Sequence, residues 1–225
     1  MAAPIFELSA DMRQDGWDKN NQQALRNIVT SKSKELFGKT LGIVGMGRNG
    51  RRLATYARAF DMKVVAYDPF LPKDALAEQK IELVGLNELC KISDYISVLA
   101  RVTPENHNLI DAEQFALMKP DCGFINTARA ALVNKEALLD ALKTGKIRMA
   151  AVDVYEGEGC PKGDPYYDIP AEKLILTNHC AGFSNERIDH QYSIGMENLE
   201  KFLSGTEIHN NCTRGVENEE AFKER

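Results

Sequence analysis

The chain reads as a doubly wound parallel α/β sheet behind an N-terminal helical arm. Three observations predict this. Short apolar runs alternate with helical stretches along its 225 residues. Gly45, Gly47 and Gly50 form a G-x-G-x-x-G turn directly after the apolar run Leu41–Val44. An acid, Asp68, closes the next apolar run, 18 residues past Gly50.

Strands are expected over Leu41–Val44, Lys63–Tyr67, Ile81–Val84, Tyr95–Leu99, Gly123–Asn126, Met149–Val152 and Leu174–Thr177. Several are apolar with little alternation, as in a parallel sheet buried on both faces. Helices are expected between them, over Gly50–Phe60, Lys73–Gln79, Leu86–Lys91, Ala112–Met118 and Lys135–Lys143. This βαβα order argues for right-handed crossovers and a Rossmann-type sheet over residues 39–205. Residues 1–38 are polar and read as an arm or crossing helix plus linker around Trp17. Residues 184–204 pattern as an amphipathic helix, with Ile188, Tyr192, Met196, Leu199 and Phe202 on one face. Residues 206–225 read as a loose charged tail.

Composition narrows the class. Hydrophobic residues make up 44% and charged residues 27%, ordinary values for a globular protein with a sizeable core. A net charge of −5 leaves no footprint for nucleic acid or an anionic membrane surface. The sequence has no apolar run long enough for a transmembrane helix, and MAAPIFELSADMRQ lacks the pattern of a secretory signal. Five scattered cysteines without C-x-x-C suit free thiols in a cytoplasmic setting, and no metal site is expected.

The strand–glycine turn–helix–strand–acid order is the fingerprint of a dinucleotide site. The first glycine permits the tight turn, the second lets backbone approach a pyrophosphate, and the third lets helix pack on strand. The helix N-terminus offers N–H groups and partial positive charge to phosphates. A carboxylate at Asp68 accepts from ribose hydroxyls and repels a 2′-phosphate, which favours NAD over NADP. Arg48 pairs with the pyrophosphate or stands as a surface cation.

Three later clusters follow strand ends. Thr127, Ala128 and Arg129 come after Asn126; Asp153, Glu156 and Glu158 come after Val152; His179 follows the last run and precedes a small-residue turn. In an open α/β sheet these ends line the ligand edge. Each residue alone reads as an ordinary loop residue; together they match a chemistry. Reduction of a 2-keto acid needs a cation for the substrate carboxylate, and a guanidinium binds one bidentately. It needs a proton donor for the developing alkoxide, and histidine titrates in the right range. A carboxylate beside that histidine favours the imidazolium. Asp153 is a candidate partner for a nicotinamide carboxamide. His107, His190 and His209 lack this context and read as surface residues.

The segments ELFGKTLGIVGMGRNG, TPENHNLIDAEQFALMKPDCGFINTARAALVNKEALLDALKTGKI, AAVDVYEGEG and LILTNHCAG resemble the D-isomer-specific 2-hydroxyacid dehydrogenase family, phosphoglycerate dehydrogenases included. The resemblance runs from about residue 11 to 205. It implies that Arg129 binds the substrate carboxylate, that His179 is the acid/base, and that Glu158, not Glu156, pairs with it. It implies cofactor contacts at Arg48, Asn49, Asp68, Thr103, Thr127, Ala128, Asp153, Ala181 and Gly182, beside the three glycines. Ala130 stands where the family usually has glycine, Asn178 where it has proline, and Leu99 and Arg101 where it has histidine and proline. The resemblance further implies a homodimer formed through the NAD domain and the arm, and a small 2-hydroxy or 2-keto acid as substrate. Only 44 residues precede Gly45. The family has roughly a hundred more there, so the substrate domain is expected to be largely absent. That expectation keeps an alternative open: a non-catalytic NAD-binding regulatory or dimerisation module.

Overall fold

The computed structural model describes residues 5–16, 23, 26, 27, 29 and 33–207. Two compact units divide between Ala181 and Gly182. Trp17, His209, Cys212 and most of the expected tail lie outside the described residues.

The first unit begins with α1 (Ile5–Asp15) and then builds a seven-stranded, all-parallel sheet. Its strands are β1 (Thr40–Val44), β2 (Lys63–Tyr67), β3 (Glu82–Leu83), β4 (Tyr95–Val98), β5 (Gly123–Asn126), β6 (Met149–Val152) and β7 (Leu174–Leu176). Between them run α2 (Arg48–Ala59), α3 (Leu86–Ile92), α4 (Ala112–Leu117) and α5 (Lys135–Lys143). The strand order is β3-β2-β1-β4-β5-β6-β7. The chain therefore winds outward one way from β1 and returns to start β4 on its other side. The crevice between the C-terminal ends of β1 and β4 is the topological switch point, where ligands of such sheets bind.

Burial explains the missing alternation. Every residue of β4 is buried, as are the last four of β1. Leu41 and Ile43 enter one apolar cluster, with Ala54 and Ala57 of α2, while Val44 enters a second, with Leu89, Phe115 and Leu138 of α3, α4 and α5. The second cluster contains Cys90 and Cys122, whose thiols burial pushes up to about 12. Both are packing residues with no thiolate to offer.

One expected helix does not form. Lys73–Gln79 holds only a 3₁₀ turn at Ala77–Gln79, reached through i→i−3 bonds such as Ala75 N to Pro72 O and Gln79 N to Leu76 O. Within 72–80 only Leu76 is buried. A segment with one apolar anchor has no face to press on the sheet, and helical stability comes mostly from such a face.

In the second unit, α6 (Asn185–Leu203) spans the expected amphipathic stretch, with Lys201 paired to Glu197 one turn away at 2.9 Å. Among the described residues no helix is long and apolar enough to cross a membrane.

Candidate functional site

The glycine turn is determined by sterics. Gly45 has φ +99°, and a Cβ there would lie 2.5 Å from Ala100 Cα and 2.6 Å from its amide nitrogen. A Cβ on Gly50 would lie 2.3 Å from Gly45 O. Backbone presses on both positions, so neither admits a side chain without moving the strand or helix. Gly47 differs: a Cβ there meets nothing within 4 Å. That open space lies over the N-terminus of α2, which has no side-chain cap and no acid in its first turn. Unsatisfied N–H groups and the positive end of the helix therefore face a volume that a phosphate fits. Arg48 and Asn49 are exposed in that first turn.

Asp68 braces this cradle from the end of β2. Its Oδ2 accepts from Met46 N at 2.9 Å and its Oδ1 from Phe70 N at 3.1 Å. An ionised carboxylate has about four acceptor positions, so capacity remains for ribose hydroxyls. Thr103, past β4, is half-buried and opens a short 3₁₀ turn, with its amide donating to Asn106 Oδ1 at 2.8 Å.

The other half of the edge is carried by loops that buried polar groups hold. Asn126, 2% exposed at the end of β5, accepts from Ala128 N at 3.1 Å and donates to Arg129 O at 3.0 Å. This fixes the main chain of Thr127, Ala128 and Arg129, and the Arg129 side chain stands exposed. Asp153, 2% exposed just past β6, holds the His179 loop. Its Oδ1 accepts from the Thr177 hydroxyl and from Cys180 N at 2.9 Å, and its Oδ2 accepts from Ala181 N at 3.0 Å. Tyr155 Oη adds a bond to Thr177 O at 2.7 Å. Burial pushes the Asp153 carboxyl up, but the Thr177 hydroxyl, the Ala181 and Cys180 amides and the nearby His179 charge outweigh it and hold the pKa below its ordinary value.

His179 Nδ1 hydrogen-bonds Glu158 Oε2, across two loops far apart in sequence. Glu156 makes no such contact and lies exposed. Both partners occupy the left-handed backbone region, Glu158 at φ 57° and His179 at φ 54°. Non-glycine residues sit there at a cost and persist where surrounding contacts over-determine them. With Nδ1 committed to Glu158, Nε2 is the nitrogen left for a ligand. Ala181 ends this loop, and Gly182 opens the second unit. His107 and His190 are exposed.

Sequence reading did not find Asn126 and Thr177, and gave Asp153 a different task. The available signal was a polar residue closing or following an otherwise apolar buried strand, one to three positions before a loop of chemical interest.

Fold and site together define a Rossmann-type NAD-binding domain. Residues 1–181 match the model of the D-isomer specific 2-hydroxyacid dehydrogenase, NAD binding domain. The chain belongs to that family. It is 37% identical over 205 residues to a D-3-phosphoglycerate dehydrogenase of Methanocaldococcus jannaschii, covering 91% of this chain and 37% of that one. Among solved structures, it superposes on the D-mandelate dehydrogenase of Rhodotorula graminis with TM-score 0.77 at 30% identity, covering 92% of this chain and 60% of that one. The D-lactate dehydrogenase of Aquifex aeolicus, solved with NAD and lactic acid, gives TM-score 0.74 at 28% identity, covering 91% of this chain and 62% of that one. The chain thus spans little more than a third of the first relative and about three fifths of the other two.

Proposed function

We propose that the chain serves an NAD-dependent D-2-hydroxyacid dehydrogenase reaction, the interconversion of a small 2-hydroxy acid and its 2-keto acid. The observation that carries this is the Glu158–His179 pair held on the same sheet edge as Arg129 and the glycine turn. Gly45, Gly47, Arg48, Asn49, Gly50 and Asp68 would hold the adenosine and pyrophosphate half of the cofactor, and Thr103, Thr127, Ala128, Asp153, Ala181 and Gly182 the rest. When bound, NADH supplies the hydride.

Arg129 binds the substrate carboxylate and orients the 2-keto carbon. Glu158 fixes the His179 ring through Nδ1 and leaves Nε2 turned to the substrate. His179 gives its Nε2 proton to the keto oxygen as negative charge develops there, and takes it back in the oxidative direction. Asp153 keeps the His179 loop in place throughout.

The domain organisation that goes with this reading is an arm over 1–38, a nucleotide domain over 39–205 and a tail over 206–225. The working state is a cytoplasmic homodimer assembled through the nucleotide domain and the arm; light scattering at tens of micromolar tests it, and a monomer contradicts it. The activity is tested by following NADH oxidation with glyoxylate, hydroxypyruvate, pyruvate and phosphohydroxypyruvate. The reading expects turnover of at least one, falling roughly 10²–10⁴-fold in His179→Gln, the usual worth of a general acid. Bound NADH with no turnover of any acid would leave a non-catalytic NAD-binding module.

A further inference from the structure

We propose that Arg101 is an anion-binding residue of this site, its guanidinium engaging the cofactor's pyrophosphate beside the glycine turn. The proposal rests on the reading of this edge as an NAD site. It concerns a residue that stands where the family pattern usually has an uncharged proline.

Strand register places it. Val98 of β4 pairs with Asn126 of β5, and Arg101 and Arg129 each lie three residues beyond those partners. The two arginines therefore leave the sheet at matching positions on adjacent strands. Their main chains are held in the same manner: Asn106 Nδ2 donates to Arg101 O at 2.8 Å, as Asn126 Nδ2 donates to Arg129 O at 3.0 Å. Arg101 is thus an exposed cation on a fixed backbone.

The packing around Gly45 says which ligand group it serves. Ala100, the residue before Arg101, supplies the backbone atoms that lie 2.5 and 2.6 Å from the Cβ position of Gly45. The loop carrying Arg101 consequently forms one wall of the glycine cradle. Arg129, one strand further along, is on the side assigned to the substrate.

Electrostatics point the same way. The loop that carries Arg101 packs through Ala100 on Gly45, two residues before the N-cap of α2, whose first turn carries Arg48 and no acid. Among the described residues neither arginine has a hydrogen-bond or ion-pair partner for its side chain. Asp68, the nearby acid at the end of β2, accepts from Met46 and Phe70 amides. Two guanidiniums and a helix N-terminus repel one another until an anion lies among them. A pyrophosphate carries the charge and the acceptor geometry that guanidiniums bind.

The test is a calorimetric titration of the 225-residue chain, unsubstituted and as Arg101→Gln and Arg101→Lys, with NADH, ADP and adenosine. Arg101→Gln is expected to weaken NADH and ADP alike, by about tenfold at low salt, and to leave adenosine unchanged. Arg101→Lys should fall between, and the gap should narrow as salt rises. Unchanged NADH and ADP affinities in Arg101→Gln, with the unsubstituted chain still binding NADH, would overturn the proposal and spare the NAD site. Equal weakening of adenosine would overturn it as well, by showing a structural effect. So would a loss confined to a phosphorylated 2-keto acid added to the NADH complex. Failure of the unsubstituted chain to bind NADH would be a different result and would remove the NAD reading itself.

Discussion

The two halves of the ligand edge are built on different principles. Around Gly45 and Gly50, backbone meets backbone, and the shape follows from the absence of two side chains. Around His179, the chain is exposed, two residues hold left-handed backbone, and a buried carboxylate reached from another strand keeps the loop in place. At Gly45 and Gly50 the first half is close-packed and tolerates nothing added. The second is a stapled loop and tolerates nothing removed from its staple. Binding and proton transfer should therefore fail separately.

The largest effect is expected in the packed half. Gly45→Val puts a branched side chain into Ala100 backbone at φ +99° and should abolish NADH binding together with a large loss of stability, at least about 3 kcal/mol by analogy with other overpacked or strained sites. Gly47→Val sharpens the contrast. Nothing lies within 4 Å of that Cβ position, so thermal stability should move little, by within about 1 kcal/mol, while NADH affinity falls at least tenfold because the added atoms fill the phosphate space. Chemical denaturation and calorimetry on the same two variants check both statements. Equal stability losses at the two glycines would break the distinction.

Next in size is the staple. Asp153→Ala leaves the Thr177 hydroxyl and the Cys180 and Ala181 amides without their acceptor; these residues are exposed and water replaces part of each bond, so the cost is about 0.5–1.5 kcal/mol per lost bond. The loss should concentrate in residues 177–181, seen as faster amide exchange there, with the glycine turn's exchange unaltered. Exchange rising equally across both halves would contradict a local staple.

How far these halves could be read beforehand follows from the same difference. The glycine turn, its helix and Asp68 are a local pattern, and the strands that frame it announce themselves as apolar runs. Arg129, Glu158 and His179 could be placed on one edge from strand ends alone, because a parallel sheet delivers every such end to the same side. The staple was hidden. Asp153 and Thr177 are 24 residues apart, and nothing local says that a buried carboxylate will accept from the residue that follows β7. The expected helix over 73–79 erred for the converse reason: its residues are permissive for helix, but only Leu76 finds a core to bury itself in.

A smaller effect comes with pH. The Asp153 pKa lies below its ordinary value of 3.8, so the unfolded chain binds the proton more readily than the native one. The stabilisation from the staple is then fully present above pH 3.8 and is lost as pH falls through the depressed native value. Stability of the native chain should decline over that acid range more steeply than that of Asp153→Asn, by urea denaturation at stepped pH. Parallel curves would show that Asp153 does not carry the linkage.

The most direct test of the central claim, an NAD site built by the glycine turn and Asp68, is a titration of the chain with NADH and NADPH side by side. One NADH per chain is expected, with NADPH at least about tenfold weaker because its 2′-phosphate would meet the Asp68 carboxylate. Asp68→Ser should narrow that preference. Equal affinity for both cofactors, or no binding of NADH at all, would contradict it.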